Sequence, residues 1–313
     1  MHITDKLYNK KWGIFNHYLN VNVVCDGMKW CDAINRIDVK KIASQLHEIG
    51  AGYYFITLCQ GTKYLLAPND TYNKITGADK FEISSDRDVV PELYEELKKY
   101  DIDLYLYFPS DGPHFDEEYG KKMGFYYEPD EVWDMEKGVL RPETENKVLT
   151  EKRLSDRFIK NWSDVLLEYS LRYGDKISGW WLDGFYDFFG FNNENMKAFY
   201  DAIKKGNPNA IVAFNGGVKK ETRKWYENEE YTAGEFNELE FIPKTRFTPD
   251  GAQNHILAPL GSDWGMKDAR YSREYMKNYI KAVNGNGGVV TVDVGINYDG
   301  SFSEEQINSL RLK

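Results

Sequence analysis

Short apolar runs alternate along the chain with longer stretches in which apolar residues recur at helical spacing. Eight of the short runs have the length and the β-branched and aromatic content of buried strands. They are Gly13 to Tyr18, Gly52 to Leu58, Asp103 to Pro109, Ile177 to Asp183, Ala210 to Asn215, Tyr231 to Phe236, His255 to Gly261, and Val289 to Gly295. Since helices separate these strands, the sheet should be parallel, and eight repeats predict a (β/α)8 barrel of the TIM type.

The stretches between the strands are predicted to be amphipathic helices, and Asp38 is a suitable N-cap for the first of them. They are Asp38 to Ile49, Asp86 to Tyr100, Glu151 to Tyr173, Asn193 to Gly206, Ser272 to Asn284, and the closing helix Ser303 to Leu312. No low-complexity linker interrupts the order. Residues 1–313 are therefore predicted to be one barrel domain, without a C-terminal β-sandwich.

The longest stretch without periodicity runs from Ser110 to Thr150, after the third predicted strand. In a barrel this position is the catalytic rim, so both a substrate-shaping loop and a surface loop without such a role fit it. Asp111, His114 and Asp116 lie here without helical spacing. They indicate a solvated turn rather than a metal site.

The net charge of -10 disfavours nucleic acid and anionic membranes as partners, because phosphate contacts need clustered cations. A neutral or cationic ligand fits this charge better. Aromatic residues make up 15% of the chain, which favours a carbohydrate partner slightly, since such rings pack against sugars but also fill cores. Self-association into a homo-oligomer would be one way to cover apolar surface, and the sequence does not determine the oligomeric state.

The three cysteines, Cys25, Cys31 and Cys59, have no C-x-x-C spacing, so neither a disulfide framework nor a metal site is indicated. No nucleotide-binding loop or other cofactor motif is present, and no cofactor is expected. The N-terminus lacks a basic region followed by an apolar run, which predicts a cytoplasmic protein.

The segment Ile177 to Phe185 reads I-S-G-W-W-L-D-G-F, an apolar strand that ends in Asp-Gly. This places Asp183 at the C-terminal rim of the barrel, where barrel enzymes keep their active sites. A carboxylate there suits a nucleophile. An aspartate that only caps the following turn fits the same spacing.

The same segment resembles the α-L-fucosidases of glycoside hydrolase family 29, whose nucleophile lies in a strand ending W-F-D-G. A G-I-F-x-H-W stretch in the first strand of that family resembles Gly13 to Tyr18, which implies that His17 contacts the sugar. Asn215 is similar to the asparagine that ends strand five, and Trp264 to the tryptophan of a W-G-Y motif. The resemblance implies a retaining exo-glycosidase that removes a terminal L-fucose or related sugar, with Asp183 as nucleophile.

Two departures from the family pattern concern the site itself. The family's second strand ends K-H-H-D-G-F, whereas this chain has Gln60 there and lacks the paired histidines. No glutamate lies upstream of Trp264 at the family's usual acid/base position. Glu235 is therefore predicted to be the general acid/base, with Glu238 as second choice. Further predicted substrate contacts are Trp30, Gln60 and Trp181.

Two other functions remain open from the sequence. One is a glycosidase for a different sugar or an internal linkage, because hydroxyl contacts rather than the fold decide specificity. The other is a barrel that binds carbohydrate without cleaving it.

Overall fold

The computed structural model describes residues 2–20, 28–127, 133–134, 139–140, 154–186 and 189–312. Cys25 lies outside them, as do much of the stretch from Ser110 to Thr150 and the start of the helix predicted from Glu151. Cys31 and Cys59 are free thiols. Among the described residues, no helix has the length and apolar character needed to cross a bilayer.

Seven parallel strands form one curled sheet, as the sequence predicts for a barrel of the TIM type. The strands are β1 (Trp12–Asn16), β2 (Tyr53–Thr57), β3 (Asp103–Pro109), β4 (Ile177–Asp183), β5 (Ile211–Phe214), β6 (His255–Pro259) and β7 (Val289–Asp293). Their order in the sheet is β5-β4-β3-β2-β1-β7-β6. The predicted (β/α)8 class is confirmed, but the sixth predicted strand is irregular.

Helices lie between the strands along the chain, and the predicted ones all occur, with small differences at their ends. They are α1 (Asp5–Lys10), α2 (Trp30–Asn35), α3 (Val39–Ile49), α4 (Asp70–Thr76), α5 (Lys80–Ile83), α6 (Val89–Lys98), α7 (Glu117–Met123), α8 (Asp156–Tyr173), α9 (Asn193–Gly206), α10 (Arg273–Gly285) and α11 (Glu304–Leu310). Asp38 is the N-cap of α3, as predicted, and accepts hydrogen bonds from two backbone N–H groups. A short 3-10 helix, Gly174–Lys176, precedes β4.

The predicted sixth strand, Tyr231 to Phe236, is not a regular strand, and that prediction was wrong. It forms two isolated parallel bridges, from Tyr231 to Gln253 just before β6 and from Glu235 to Leu257 in β6. On its other side, the outward N–H groups of β5 donate to side chains instead of to a backbone ladder. Val212 N donates to Glu230 Oε2 at 2.9 Å, and Phe214 N donates to Glu229 Oε2 at 2.8 Å.

These two carboxylates explain why no β-ladder forms beside β5. An N–H group has one hydrogen to donate, so a glutamate oxygen that accepts it displaces the carbonyl of a neighbouring strand. Glu229 is 1% exposed, and its other oxygen accepts a hydrogen bond from Trp225 N at 2.7 Å. Burial raises the pKa of Glu229, and these backbone hydrogen bonds oppose that rise.

Side chains along each strand alternate between the inside of the barrel and the layer under the helices. The inner cluster includes Phe15, Tyr53, Phe55, Tyr105, Tyr107, Trp181, Ile211, Ala213, Tyr231, Ala233, Leu257 and Val289. Residues between them, such as Ile14, Tyr54 and Leu182, belong to the outer core. All members of the inner set have odd numbers. The next odd residue toward the C-terminal end of each strand therefore faces the mouth of the barrel.

We predict that Glu229→Ala lowers the free energy of unfolding by about 2–4 kcal/mol, because it leaves two N–H groups without their acceptor. Urea denaturation followed by circular dichroism measures this loss. Glu227→Ala, an exposed change two residues away, is the control and should stay within about 0.5 kcal/mol of the wild type. Equal stability of the two variants would contradict the role of Glu229 beside β5.

Candidate active site

The polar residues at the mouth of the barrel continue the inward alternation of the strands below them. Asp183 follows Trp181 in β4, and Asn215 follows Ala213 of β5. Glu235 follows Ala233 on the irregular sixth segment. Period-two geometry therefore brings these three side chains to one rim, although they lie far apart in the sequence.

Asp183 is held by three hydrogen-bond donors. Its Oδ2 accepts from the Tyr107 hydroxyl at 2.5 Å, and its Oδ1 accepts from Asn215 Nδ2 at 2.7 Å and from Gly184 N at 2.8 Å. Gly184 has a φ of 77°, a left-handed conformation that suits glycine and turns the chain immediately after the carboxylate. The donors fix both oxygens of Asp183 at the rim.

Asn215 links the two predicted catalytic carboxylates. Its Nδ2 donates to Asp183 Oδ1 at 2.7 Å and to Glu235 Oε2 at 2.6 Å, so these two oxygens are no more than about 5 Å apart. Its Oδ1 accepts a hydrogen bond from Gly217 N at 3.1 Å, which sets the orientation of the amide. A separation of this size is typical of retaining glycosidases, whereas inverting ones need room for a water molecule.

The residue before Glu235 has a backbone conformation and a close contact that only glycine allows. Gly234 has a φ of 62°, and a Cβ added there would lie 1.8 Å from the carbonyl oxygen of His255. Phe236 N donates to Leu257 O at 2.9 Å immediately after it. The glutamate is therefore held between two backbone contacts to β6.

The two carboxyl groups differ in how strongly their charged forms are stabilised. Burial and the nearby charge of Asp183 raise the pKa of Glu235 to about 7, against a single opposing hydrogen bond from Asn215. Burial also raises the pKa of Asp183, but the bonds from Tyr107, Asn215 and Gly184 oppose that rise. Since Asp183 has more donors, we assign the shared proton to Glu235 and the charge to Asp183.

His17 lies on the opposite side of the rim, where β1 ends. Its Nδ1 is 2.8 Å from Asp293 Oδ1, at the end of β7, and the other oxygen of Asp293 accepts from Gly265 N at 2.6 Å. Trp264 is half-buried beside it, with ring centroids 5.7 Å apart. Within the described part of the chain, His17 Nε2 has no hydrogen-bond partner. His17 Nε2 is therefore available to form a hydrogen bond with a hydroxyl group of a ligand.

Glu238, the second choice for the acid/base, does not belong to this group, and its prediction was wrong. The chain turns outward after Phe236, and Glu238 is exposed. It accepts from Tyr271 at 2.5 Å and pairs with Arg270 at 2.8 Å. These contacts lower the pKa of Glu238, the opposite of what a general acid needs.

Three other residues that were predicted to contact the substrate lie in different parts of the structure. Trp30 is 4% exposed and donates to Leu65 O, so it packs behind the rim, and this argues against a ligand contact. Trp181 is 3% exposed, stacks on Tyr107 and forms the layer beneath Asp183. Gln60 is half-buried three residues after β2, at the same rim, and its side chain has no hydrogen bond within the described residues. Its sugar contact remains a prediction.

Sequence reasoning missed Tyr107 and Asp293, the residues that hold Asp183 and His17. Both have odd numbers on inward-facing strand positions, and that alternation is the signal that could have found them. The prediction of a solvated turn at Asp111 and His114 was also wrong. Asp111 is 6% and His114 5% exposed, and His114 Nδ1 lies 2.9 Å from Asp111 Oδ2. Asp111 also lies close to Gly184. No group of metal-ligating side chains occurs within the described ranges.

The sequence profile of the alpha-L-fucosidase family matches residues 34–312. The chain belongs to this family. A search of the curated proteins found no match. This membership agrees with the resemblance seen in the sequence. Family membership alone does not determine the mechanism or the substrate, which depend on the residues of the site.

Solved structures with the same fold include two kinds of enzyme. The unliganded alpha-L-fucosidase AlfC from Lactobacillus casei has a TM-score of 0.69 at 16% identity, over 99% of this chain and 96% of its own. The endo-fucoidan hydrolase P5AFcnA, of glycoside hydrolase family 107, has a TM-score of 0.69 at 14% identity, over 97% and 91%. A second one, an MfFcnA4 variant, has a TM-score of 0.71 at 15% identity, over 99% and 53%. At these identities the likeness establishes the fold.

We predict that Glu235→Gln stabilises the protein more at pH 8 than at pH 5, by about 0.5–2 kcal/mol. The raised pKa means that the fold favours protonated Glu235, so the stability tied to this group is lost as pH rises from 4.5 through about 7. Glutamine stays neutral and avoids that loss. Thermal melts at both pH values measure the difference.

Glu238→Gln is the matched control for this measurement. Its pKa is lowered, so Glu238 is charged in both folded and unfolded states across this pH range. Its effect on stability should not grow between pH 5 and pH 8. Equal growth in the two variants would show that Glu235 is not specifically destabilised in its charged form.

Proposed function

We propose that the chain is a retaining exo-glycosidase that hydrolyses a terminal α-L-fucoside or a closely related sugar. The observation that carries this proposal is the shared hydrogen-bond donor Asn215, which brings Asp183 and Glu235 within about 5 Å of each other. Family membership supports a glycoside hydrolase of this kind. His17 and Trp264 supply a hydrogen-bonding group and an aromatic face at the same rim.

In the first step, Asp183 attacks the anomeric carbon and forms an ester with the sugar while the glycosidic bond breaks. Glu235 gives its proton to the departing oxygen, so that the leaving group departs as a neutral alcohol. In the second step, Glu235 accepts a proton from water, and the water oxygen attacks the anomeric carbon. Asp183 leaves as a carboxylate, and both groups return to their starting states.

Tyr107 has a defined part in this cycle. Its hydroxyl donates to the Asp183 oxygen at 2.5 Å and stabilises the carboxylate both before attack and as it leaves. The Tyr107 ring is buried and stacks on Trp181, which keeps the hydroxyl in place. Asn215 donates a hydrogen bond to both carboxyl groups. It can therefore stabilise whichever of the two is charged at each step.

Cleavage of an internal fucose linkage is the second candidate. Endo-fucoidan hydrolases are as similar in fold as the fucosidase, and Gln60 stands where the family has paired histidines. Reducing-end assays on a fucose polymer separate the candidates, because an internal cut shortens the polymer before free fucose appears. A barrel that binds sugar without cleaving it would show neither product.

We predict that azide rescues two variants with opposite stereochemistry. Asp183→Ala should lose turnover of 2,4-dinitrophenyl α-L-fucoside, and azide should then give the β-L-fucosyl azide, because it enters from the side of the missing nucleophile. Glu235→Ala still forms the ester with this activated substrate, and azide should give the α-L-fucosyl azide. Proton magnetic resonance of the products identifies the anomers.

Two outcomes would contradict these assignments. Normal turnover by Asp183→Ala would remove it as the nucleophile, and α-azide from that variant would do the same. Glu238→Ala is the control, because Glu238 is exposed and bound to Arg270. It should keep wild-type turnover without azide.

We also predict that kcat/KM for an unactivated fucoside falls above about pH 7, as Glu235 loses its proton. In Glu235→Gln, acting on 2,4-dinitrophenyl α-L-fucoside, this alkaline decline should be absent, since the leaving group needs no protonation. The rate of ester formation, measured from the dinitrophenol burst, gives the profile. An unchanged alkaline limb in the variant would assign that limb to another group.

A further inference from the structure

A basic segment follows β5 in this acidic chain. Residues 219–224 contain four cations and one acid, whereas the whole chain has a net charge of -10. The segment begins four residues after Asn215, at the same rim as the two carboxylates. The rim therefore combines an acidic centre with cations to one side of it.

A cavity extends from Glu235 to this segment. It is an open cleft of about 320 Å³, a volume that includes the solvent at its mouth. Asn215 and Glu235 form one wall, and Lys219, Arg223 and Trp225 form another. Asp183 does not line this cavity. Of the two carboxyl groups, Glu235 is therefore the one that contacts the cavity.

Both cations lie near one indole ring. Lys219 Nζ is 4.6 Å and Arg223 Cζ is 5.7 Å from the ring centroid of Trp225, within the range of cation–π contacts. The Trp225 Nε1 donates to Phe185 O at 2.8 Å, which fixes the ring. Neither cation forms an ion pair with any carboxylate of the described residues. Glu221, the acid in this wall, offsets only one of the two charges.

The chemistry of the proposed reaction places the leaving group in this cavity. A general acid protonates the glycosidic oxygen, so the leaving group lies beside the acid, on the face of the cleaved sugar opposite the nucleophile. The open space beside Glu235 is the cavity lined by Lys219, Arg223 and Trp225. The two cations held over this indole attract an anionic substituent on the leaving group.

Resting on the proposed function, we infer that this cavity is a leaving-group subsite that selects an anionic leaving group, a sugar carrying a sulfate ester or a carboxylate. Lys219 and Arg223 bind the anion, and Trp225 holds the two cations in place. If a neutral sugar were bound, both cations would interact only with water. Specificity on the leaving-group side therefore depends on charge, whereas the hydroxyl contacts of His17 act on the sugar that is cleaved.

Three aryl α-L-fucosides test this inference: the 3-carboxyphenyl, 3-sulfophenyl and 3-carbamoylphenyl compounds. The measured quantity is kcat/KM for each anionic substrate divided by kcat/KM for the neutral carboxamide. Comparing this ratio between proteins cancels the intrinsic reactivity of each phenol. We expect the double variant Lys219→Met with Arg223→Met to lower the ratio about threefold to tenfold, as expected for two partly exposed charge contacts.

Lys220→Met is the matched control, because Lys220 is the neighbouring cation, is exposed, and does not line the cavity. Its ratio should stay within about twofold of the wild type. A larger loss for the sulfonate would identify a sulfate ester as the natural group, and a larger loss for the carboxylate would identify a uronic acid. Equal ratios in the wild type, the control and the double variant would overturn the inference.

A binding measurement separates this inference from the proposed function. Titration calorimetry with 3-hydroxybenzenesulfonate and 3-hydroxybenzamide needs no turnover. If no fucoside is cleaved but the sulfonate binds in a manner that depends on Lys219 and Arg223, the proposed activity fails while the anion site stands. If the fucosides are cleaved but the sulfonate binds wild type and double variant equally, the anion site fails alone.

Discussion

The site depends on a single amide group that donates one hydrogen to each of two carboxylates. Without Asn215 Nδ2, Asp183 and Glu235 would face each other as like charges with little between them. A hydrogen bond from Gly217 N to its oxygen favours this orientation of the amide. The geometry lets one carboxyl group hold a proton while the other stays charged, and two chemically similar groups thereby take different roles.

The barrel supplies this arrangement through strand periodicity. Inner positions recur every second residue, so the layer above Trp181 and Ala233 must consist of Asp183 and Glu235. Aromatic rings fill the layer below and exclude water from the underside of the carboxylates. Burial from below and the charge of Asp183 raise the pKa of Glu235, while the open side above leaves it accessible to a ligand.

The strands, the helices, Asp183, His17 and Asn215 could be predicted because each sits in a local pattern, a strand end or a short motif. The sixth strand could not, since the replacement of a backbone ladder by Glu229 and Glu230 depends on contacts that no local pattern records. The sequence ranked Glu235 before Glu238 only by its distance from the predicted strand end. Only the turn after Phe236 decides which of the two faces inward.

Net charge does not describe the electrostatics of one site, for a related reason. It sums the whole surface, whereas charges separated by more than about 8–10 Å are largely screened at physiological ionic strength. A ligand group in the cavity beside Glu235 is therefore governed by Lys219, Arg223 and Glu221 rather than by the total of -10. An acidic protein can in this way present a cationic subsite, and the excess of acid elsewhere does not remove its selectivity.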